Sequence, residues 1–281
     1  MRPSLLRHSY PDSKDLEDLR TGITKFVLAG FVPERPLFNR KAQMVTMGSC
    51  FAGTIHEAFV KAGIASTHVF LSETMNTPPF ALITVQSLRG KDPTPIGHLG
   101  PNTLDENSVA EMRKKLMEAS AFILTLGVAL QPFEEDGKPV FHITKSMVKG
   151  WSKNVLRGDS WRMLSVDEIL NYTRSTIDGV RSLRPDIPVI ITLSPIPLHT
   201  SAYLPSPVVQ DCISKSFLRT AIAMLMEEGI ENLFYWPSFE IVRWLGGHVG
   251  PFFGVDGDQR HLKPECLDLI TDLFVQHYFD Q

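Results

Sequence analysis

Residues 165–193 read SVDEILNYTRSTIDGVRSLRPDIPVIITL, and this stretch decides the fold. Ser165, with Glu168 three residues on, forms a capping box, and Ile169, Thr173, Ile177, Val180 and Leu183 follow at helical spacing. Arg184-Pro185 forbids further helix, because the residue before a proline is pushed out of the helical region. Beyond it, VIITL (Val189–Leu193) is a short β-branched run without alternation, as expected of a parallel strand covered on both faces. AFILTL (Ala121–Leu126) is a similar run upstream. Strand, helix, strand is a βαβ unit whose right-handed crossover leads to a doubly wound sheet. The expected architecture is therefore a three-layer α/β sandwich with a central, mostly parallel sheet of about five strands and ligands beyond the strands' carboxyl ends.

Working outward, further strands are expected at 43–47, 67–71 and 232–235, bounded by Gly, Pro, Asn or Ser. Further helices are expected at 54–62, 106–119, 214–228 and 264–278. Residues 1–40 are polar and proline-bearing and read as an arm packed on a single domain of residues 41–281. Residues 93–102 and 131–162 are long connections containing Gly or Trp, and insertions of that kind at strand ends are often lids.

Composition narrows the function. The chain has 281 residues, 43% of them hydrophobic, enough for a full core without disulfide or metal staples. With 28 Lys and Arg against 31 Asp and Glu the formal charge is −3, which argues against a nucleic-acid partner. No stretch approaches the roughly 18 apolar residues of a membrane helix, and the N-terminus turns polar before any signal-like run. Three cysteines, Cys50, Cys212 and Cys266, are too few for a disulfide framework and point to reduced thiols in a cytoplasmic chain.

Two places carry candidate chemistry. Met47-Gly48-Ser49-Cys50-Phe51-Ala52-Gly53 joins the first strand to a helix. Gly48 permits a tight turn, and the amides that follow point outward where negative charge is stabilised. Such a turn suits a nucleophile, either Ser49 or Cys50, and can receive an oxyanion. A small buried turn with Cys50 as a compact hydrophobe is the plain alternative. Near the other end, Asp258 and His261 stand three apart in a loop ahead of the last helix, where the carboxylate can orient the imidazole as a base. Asp258 as a simple turn cap is the corresponding alternative.

Gly48-Ser-Cys-Phe-Ala52 resembles the pentapeptide that gives the GSCFA family its name, a family that resembles a branch of the SGNH/GDSL hydrolases. Ile123-Leu-Thr-Leu-Gly127, Leu193-Ser-Pro-Ile-Pro-Leu198, Ser214-Lys-Ser-Phe-Leu-Arg219, Phe234-Tyr-Trp-Pro-Ser-Phe-Glu240 and Asp258-Gln-Arg-His261 resemble further blocks in the family's order, spanning about residues 30–279. Setting Gly48 on the Gly of the superfamily's Gly-Asp-Ser places Cys50 on the nucleophilic Ser. The resemblance thus implies acyl transfer on a small acyl ester or thioester, as an esterase, thioesterase or acyltransferase. Cys50, or else Ser49, would attack, His261 would carry the proton and Asp258 would orient it. The Gly-x-Asn of the superfamily's third block is here Gly127-Val128-Ala129, so Asn76 and the amides at Ser49, Cys50 and Gly127 become the oxyanion candidates. His142 and Lys145 lie where relatives carry an Asn-Cys-His-Lys-like stretch; Lys145 fits it and His142 does not, and either is a candidate for substrate contact. A rival reading is a catalytically inactive binding module for a small acylated or carbohydrate ligand.

No cofactor is implied. There is no GxxxxGK[ST], no GxGxxG after a strand and no HExxH, so neither a nucleotide nor a metal is expected. Ser194-Pro-Ile-Pro197 is expected at the rim of the site as rigid loop, and Trp151, Trp161, Trp236 and Trp244 as packing.

Overall fold

The computed structural model describes residues 9–48, 50–71, 76–90, 106–133, 137–140, 161–201, 203–250, 252–255 and 258–280, without the side chains of Glu106, Trp244, Leu245 and Asp258. Five parallel strands form the central sheet: β1 (Gln43–Gly48), β2 (Ala65–Phe70), β3 (Ala121–Leu126), β6 (Val189–Leu193) and β7 (Leu233–Trp236). Their order is β2-β1-β3-β6-β7. Two antiparallel ribbons stand apart from it, β4 (Leu130–Pro132) with β5 (Trp161–Met163), and β8 (Phe253–Val255) with β9 (Asp258–Leu262).

Successive residues of each central strand face opposite sides, so one sheet builds two cores. Val45, Met47, Phe122, Leu124, Val189 and Ile191 pack beneath α2 (Pro78–Leu88), α4 (Val166–Leu183) and α5 (Pro207–Glu227). Met44, Ala121, Ile123, Ile190 and Trp236 pack on the other side with α1 (Cys50–Lys61), α6 (Pro264–Tyr278) and the arm, from which Ile23, Leu28 and Phe38 enter the core. Helix, sheet and helix make a three-layer doubly wound α/β sandwich. β3 and β6 are buried at every position, in keeping with their uninterrupted apolar sequence.

The ends of α4 are as expected. Ser165 Oγ accepts from the Glu168 amide, and the Glu168 carboxylate accepts from the Ser165 amide at 2.8 Å. Elsewhere the boundaries move. Helix α1 starts at Cys50 rather than at residue 54, and α5 at Pro207 rather than 214, so Cys212 lies within a helix and not ahead of one. Helix α2 was absent from the sequence reading, and α3 spans Glu106–Glu118. The Asp258–His261 segment, expected as a loop, is strand β9.

Candidate functional site

In a doubly wound sheet the ligand crevice opens where the strand order reverses, here between the carboxyl ends of β1 and β3. β1 ends at a glycine and β3 just before one, and the surroundings require both. Gly48 has φ +150°, and a Cβ there would stand 2.8 Å from Thr125 Cβ and 3.0 Å from Ala52 Cβ. Its carbonyl accepts from the Leu71 amide at 2.8 Å, which fixes the end of β1 against the segment after β2. Cys50 then opens α1 directly, with its carbonyl accepting from Thr54 Oγ1 at 2.9 Å. The half-buried thiol thus sits on the first turn of a helix, among amides that favour negative charge.

The second glycine, Gly127, follows β3. A Cβ on it would lie 2.1 Å from Asn76 Nδ2, so the Asn76 side chain rests directly on the Gly127 backbone. The Val128 amide donates to the Asn76 carbonyl at 3.0 Å, and the Ala129 amide donates to Ser214 Oγ at 2.8 Å. Lys215 Nζ donates to the Gly127 carbonyl at 2.6 Å. A narrow cleft brings together Cys50, Asn76, Gly127, Val128, Ser194 and Lys215, with Ile196, Pro197 and Leu198 as its far wall.

Ser194, Ile196 and Pro197 belong to the segment expected at the rim of the site. The Ser194 amide donates to the Leu126 carbonyl at 2.9 Å, holding the segment to the end of β3. Buried Asp211 accepts from the Leu198 amide at 3.1 Å and from Arg243 Nη2 at 2.6 Å, while Arg243 Nε donates to the Pro195 carbonyl at 2.9 Å. Arg260 Nη1 donates to the Pro197 carbonyl at 3.3 Å and draws β9 to the same wall.

Of the residues expected in the site, the structure joins Cys50, Asn76 and Gly127 at one cleft, and Gly48 ends β1 two residues before Cys50. His261 is half-buried in β9, next to Arg260, and is not among the described residues that line the cleft. The backbone of Asp258 opens β9, and its side chain lies outside the described part of the structure, as do Ser49, His142 and Lys145. Residues 131–132 and 161–162 form the β4–β5 ribbon, and most of the connection expected as a lid falls outside the described residues.

Sequence reasoning missed the inward face of α5. Gln210, Asp211, Ser214 and Lys215 are all buried, at i, i+1, i+4 and i+5, and each side chain holds backbone in the connection that follows β3 or β6. The signal was present as a polar stripe at helical period, which reads from sequence as a solvated face.

The three cysteines form no disulfide and occupy unlike settings. Burial, with help from Glu265, pushes the Cys266 thiol up to about 12, and Cys212 is exposed on α5. In β2, burial drives His68 down to about 4, and its Nδ1 shares a 2.9 Å hydrogen bond with Thr46 Oγ1. Among the described residues no cluster of His, Cys, Asp and Glu is placed to hold a metal ion, and no helix is long and apolar enough to cross a membrane.

Strand order and cleft position define a doubly wound α/β protein whose candidate site sits at the switch point, around a thiol on a helix's first turn. The chain belongs to the GSCFA family, whose model matches residues 102–274, more than half of its length. The matched stretch contains Gly127, Lys215 and His261 but not the pentapeptide at 48–52.

No curated protein matches the chain. Among solved structures it is similar to a GDSL-like lipase from Bacteroides ovatus (14% identity, 85% of this chain and 51% of that one, TM-score 0.41). It is also similar to a salicylyl-acyltransferase from a tetracycline biosynthetic pathway (11%, 84% and 54%, 0.41). A third is an acylhydrolase from Bacteroides fragilis (12%, 95% and 97%, 0.41). The chain spans about half the length of the first two.

Proposed function

We propose that this chain is an acyl-transfer enzyme, an esterase, thioesterase or acyltransferase, acting on a small acyl ester or thioester. Cys50 Sγ attacks the carbonyl carbon, the leaving alkoxide or thiolate takes a proton carried by His261, and Asp258 orients His261. The oxyanion is received by the amides at the start of α1 and at Gly127 together with the Asn76 side chain. Water or a second hydroxyl or amine then releases the acyl group from sulfur and regenerates the thiol. The observation that carries the reading is the meeting of Cys50, Asn76 and Gly127 in one cleft at the switch point. A thiol nucleophile suits a reducing, cytoplasmic setting.

The direct test is incubation with p-nitrophenyl acetate and a panel of short acyl thioesters, with mass spectrometry of the peptide containing Cys50. An acyl adduct on Cys50 is expected. Cys50→Ala and His261→Ala are each expected to lower turnover by about 10³-fold or more. Full activity in both variants overturns the mechanism, and loss in Ser49→Ala with retention in Cys50→Ala moves the nucleophile to Ser49.

The second reading, a binding module without turnover, draws on the absence of His261 from the described cleft lining. It is favoured if iodoacetamide labels Cys50 no faster than Cys212 and no acyl adduct forms.

A further inference from the structure

Lys215 is only 3% exposed, and it lines the same cleft as Cys50. Removing an ammonium group from water is costly, and an apolar side chain of similar length fills such a site at less expense. One contact of this side chain bears directly on the site. Nζ donates at 2.6 Å to the Gly127 carbonyl, one end of the Gly127–Val128 peptide unit. The other end of that unit, the Val128 N–H, donates at 3.0 Å to the carbonyl of Asn76.

The peptide is therefore gripped from both sides. A charged donor on a carbonyl polarises the whole peptide group and strengthens the bond its N–H makes. The Asn76 backbone is drawn to Val128 while its side chain lies on Gly127, where a Cβ would come within 2.1 Å of Nδ2. On either flank the segments are pinned. Ser214, one residue before Lys215, holds the Ala129 amide at 2.8 Å, and Thr77 Oγ1 donates to buried Gln131 Oε1 at 2.7 Å.

We propose that Lys215 is a positioning residue of the cleft: through the Gly127–Val128 peptide it sets the place of Asn76 relative to Cys50. The inference rests on the reading of Asn76 as an oxyanion donor, and its test separates the two. Lys215 acts through Asn76, so the two residues form one unit whose effects do not add.

With p-nitrophenyl acetate as probe, Asn76→Ala is expected to lower kcat by about 10²-fold. Lys215→Met is expected to lower kcat by about the same factor with KM nearly unchanged, and to cost nothing further in the Asn76→Ala background. Multiplying losses, or wild-type kcat in Lys215→Met, overturn the proposal. Propylammonium added to Lys215→Ala is expected to restore part of the lost kcat, and 1-propanol at the same concentration is expected not to; no rescue, or equal rescue by both, counts against it.

A measurement independent of turnover is amide hydrogen exchange. In Lys215→Met the Val128 amide is expected to exchange at least about tenfold faster than in wild type, while the Ser194 amide is unchanged. Equal Val128 exchange in a folded variant overturns the clamp. Faster Val128 exchange in a protein that turns over no acyl probe upholds the clamp and rejects the enzymatic reading. If Lys215→Met does not fold, the Lys215→Ala protein with and without propylammonium supplies the same exchange comparison.

Discussion

Position 127 has room for a hydrogen and nothing more. An alanine there would drive a methyl into the Asn76 amide, 2.1 Å away. Gly127→Ala is therefore expected to displace Asn76 and lower turnover of an acyl ester by about 10²-fold, through loss of an oxyanion donor. Steady-state kinetics with p-nitrophenyl acetate checks it, beside a thermal melt showing that the variant folds. The cysteines give a second prediction at this scale. The Cys266 thiol, buried and pushed up to about 12, is expected to resist iodoacetamide at pH 8 until the chain is unfolded in urea, while exposed Cys212 reacts in the native protein. Peptide mapping of alkylated sites reads this directly, and native labelling of Cys266 contradicts it. Sequence alone singled out Cys50, because a thiol after a strand-ending glycine is legible as chemistry, whereas Asn76 and Gly127 entered only through the resemblance to the GSCFA family. It passed over Lys215, because burial is a property of the folded helix, and a lysine inside a helical pattern reads as solvated.

At the level of elements, α4 was readable to the residue because its start and stop are written in short-range rules, a capping box and an Arg-Pro step. Its capping carboxylate also sets a pH dependence. Arg162 beside Glu168, with the Ser165 amide, holds the Glu168 carboxyl down at about 2, from an ordinary 4.5. A carboxyl held low stabilises the fold at every pH above 4.5, and its contribution fades as pH falls toward 2. Glu168→Gln is thus expected to unfold at lower urea than wild type at pH 7 and to match it near pH 2, which urea titrations across that range will show. Helix α2 escaped notice because PPFALITVQSL is apolar on most of its faces and opens with two prolines. Proline reads as a breaker, yet in the first turn of a helix it removes no needed donor. The start of α5 was lost for the opposite reason, since buried Gln210, Asp211, Ser214 and Lys215 interrupt the apolar period. Their partners include backbone groups in the connections after β3 and β6, so only the tertiary fold explains them.

For the whole molecule, the second core depends on both distant parts of the chain. Ile23 and Leu28 of the arm are fully buried against it, and Phe38 forms a parallel bridge with Phe279. The Leu37 and Phe38 amides both donate to the Tyr278 carbonyl at 2.9 Å, and the Asp280 amide donates to the Phe38 carbonyl at 2.8 Å. We propose on these grounds that the arm expected at residues 1–40 is, over its described residues, an integral cover of the 41–281 domain. Burying a side chain such as Ile23 or Leu28 is worth about 1.5–3 kcal/mol, so removing residues 1–36 takes away a large part of a stability of about 5–15 kcal/mol. The truncated chain is expected to bind a hydrophobic dye and melt at much lower temperature; an unchanged melt contradicts the proposal. The Phe38–Phe279 junction also orders events during synthesis. Translation proceeds from the arm to α6, so all five sheet strands leave the ribosome before β9 and its His261. Until α6 follows, Phe38 has no Phe279 to bridge, and the nascent chain carries all five strands with one face of the sheet still uncovered.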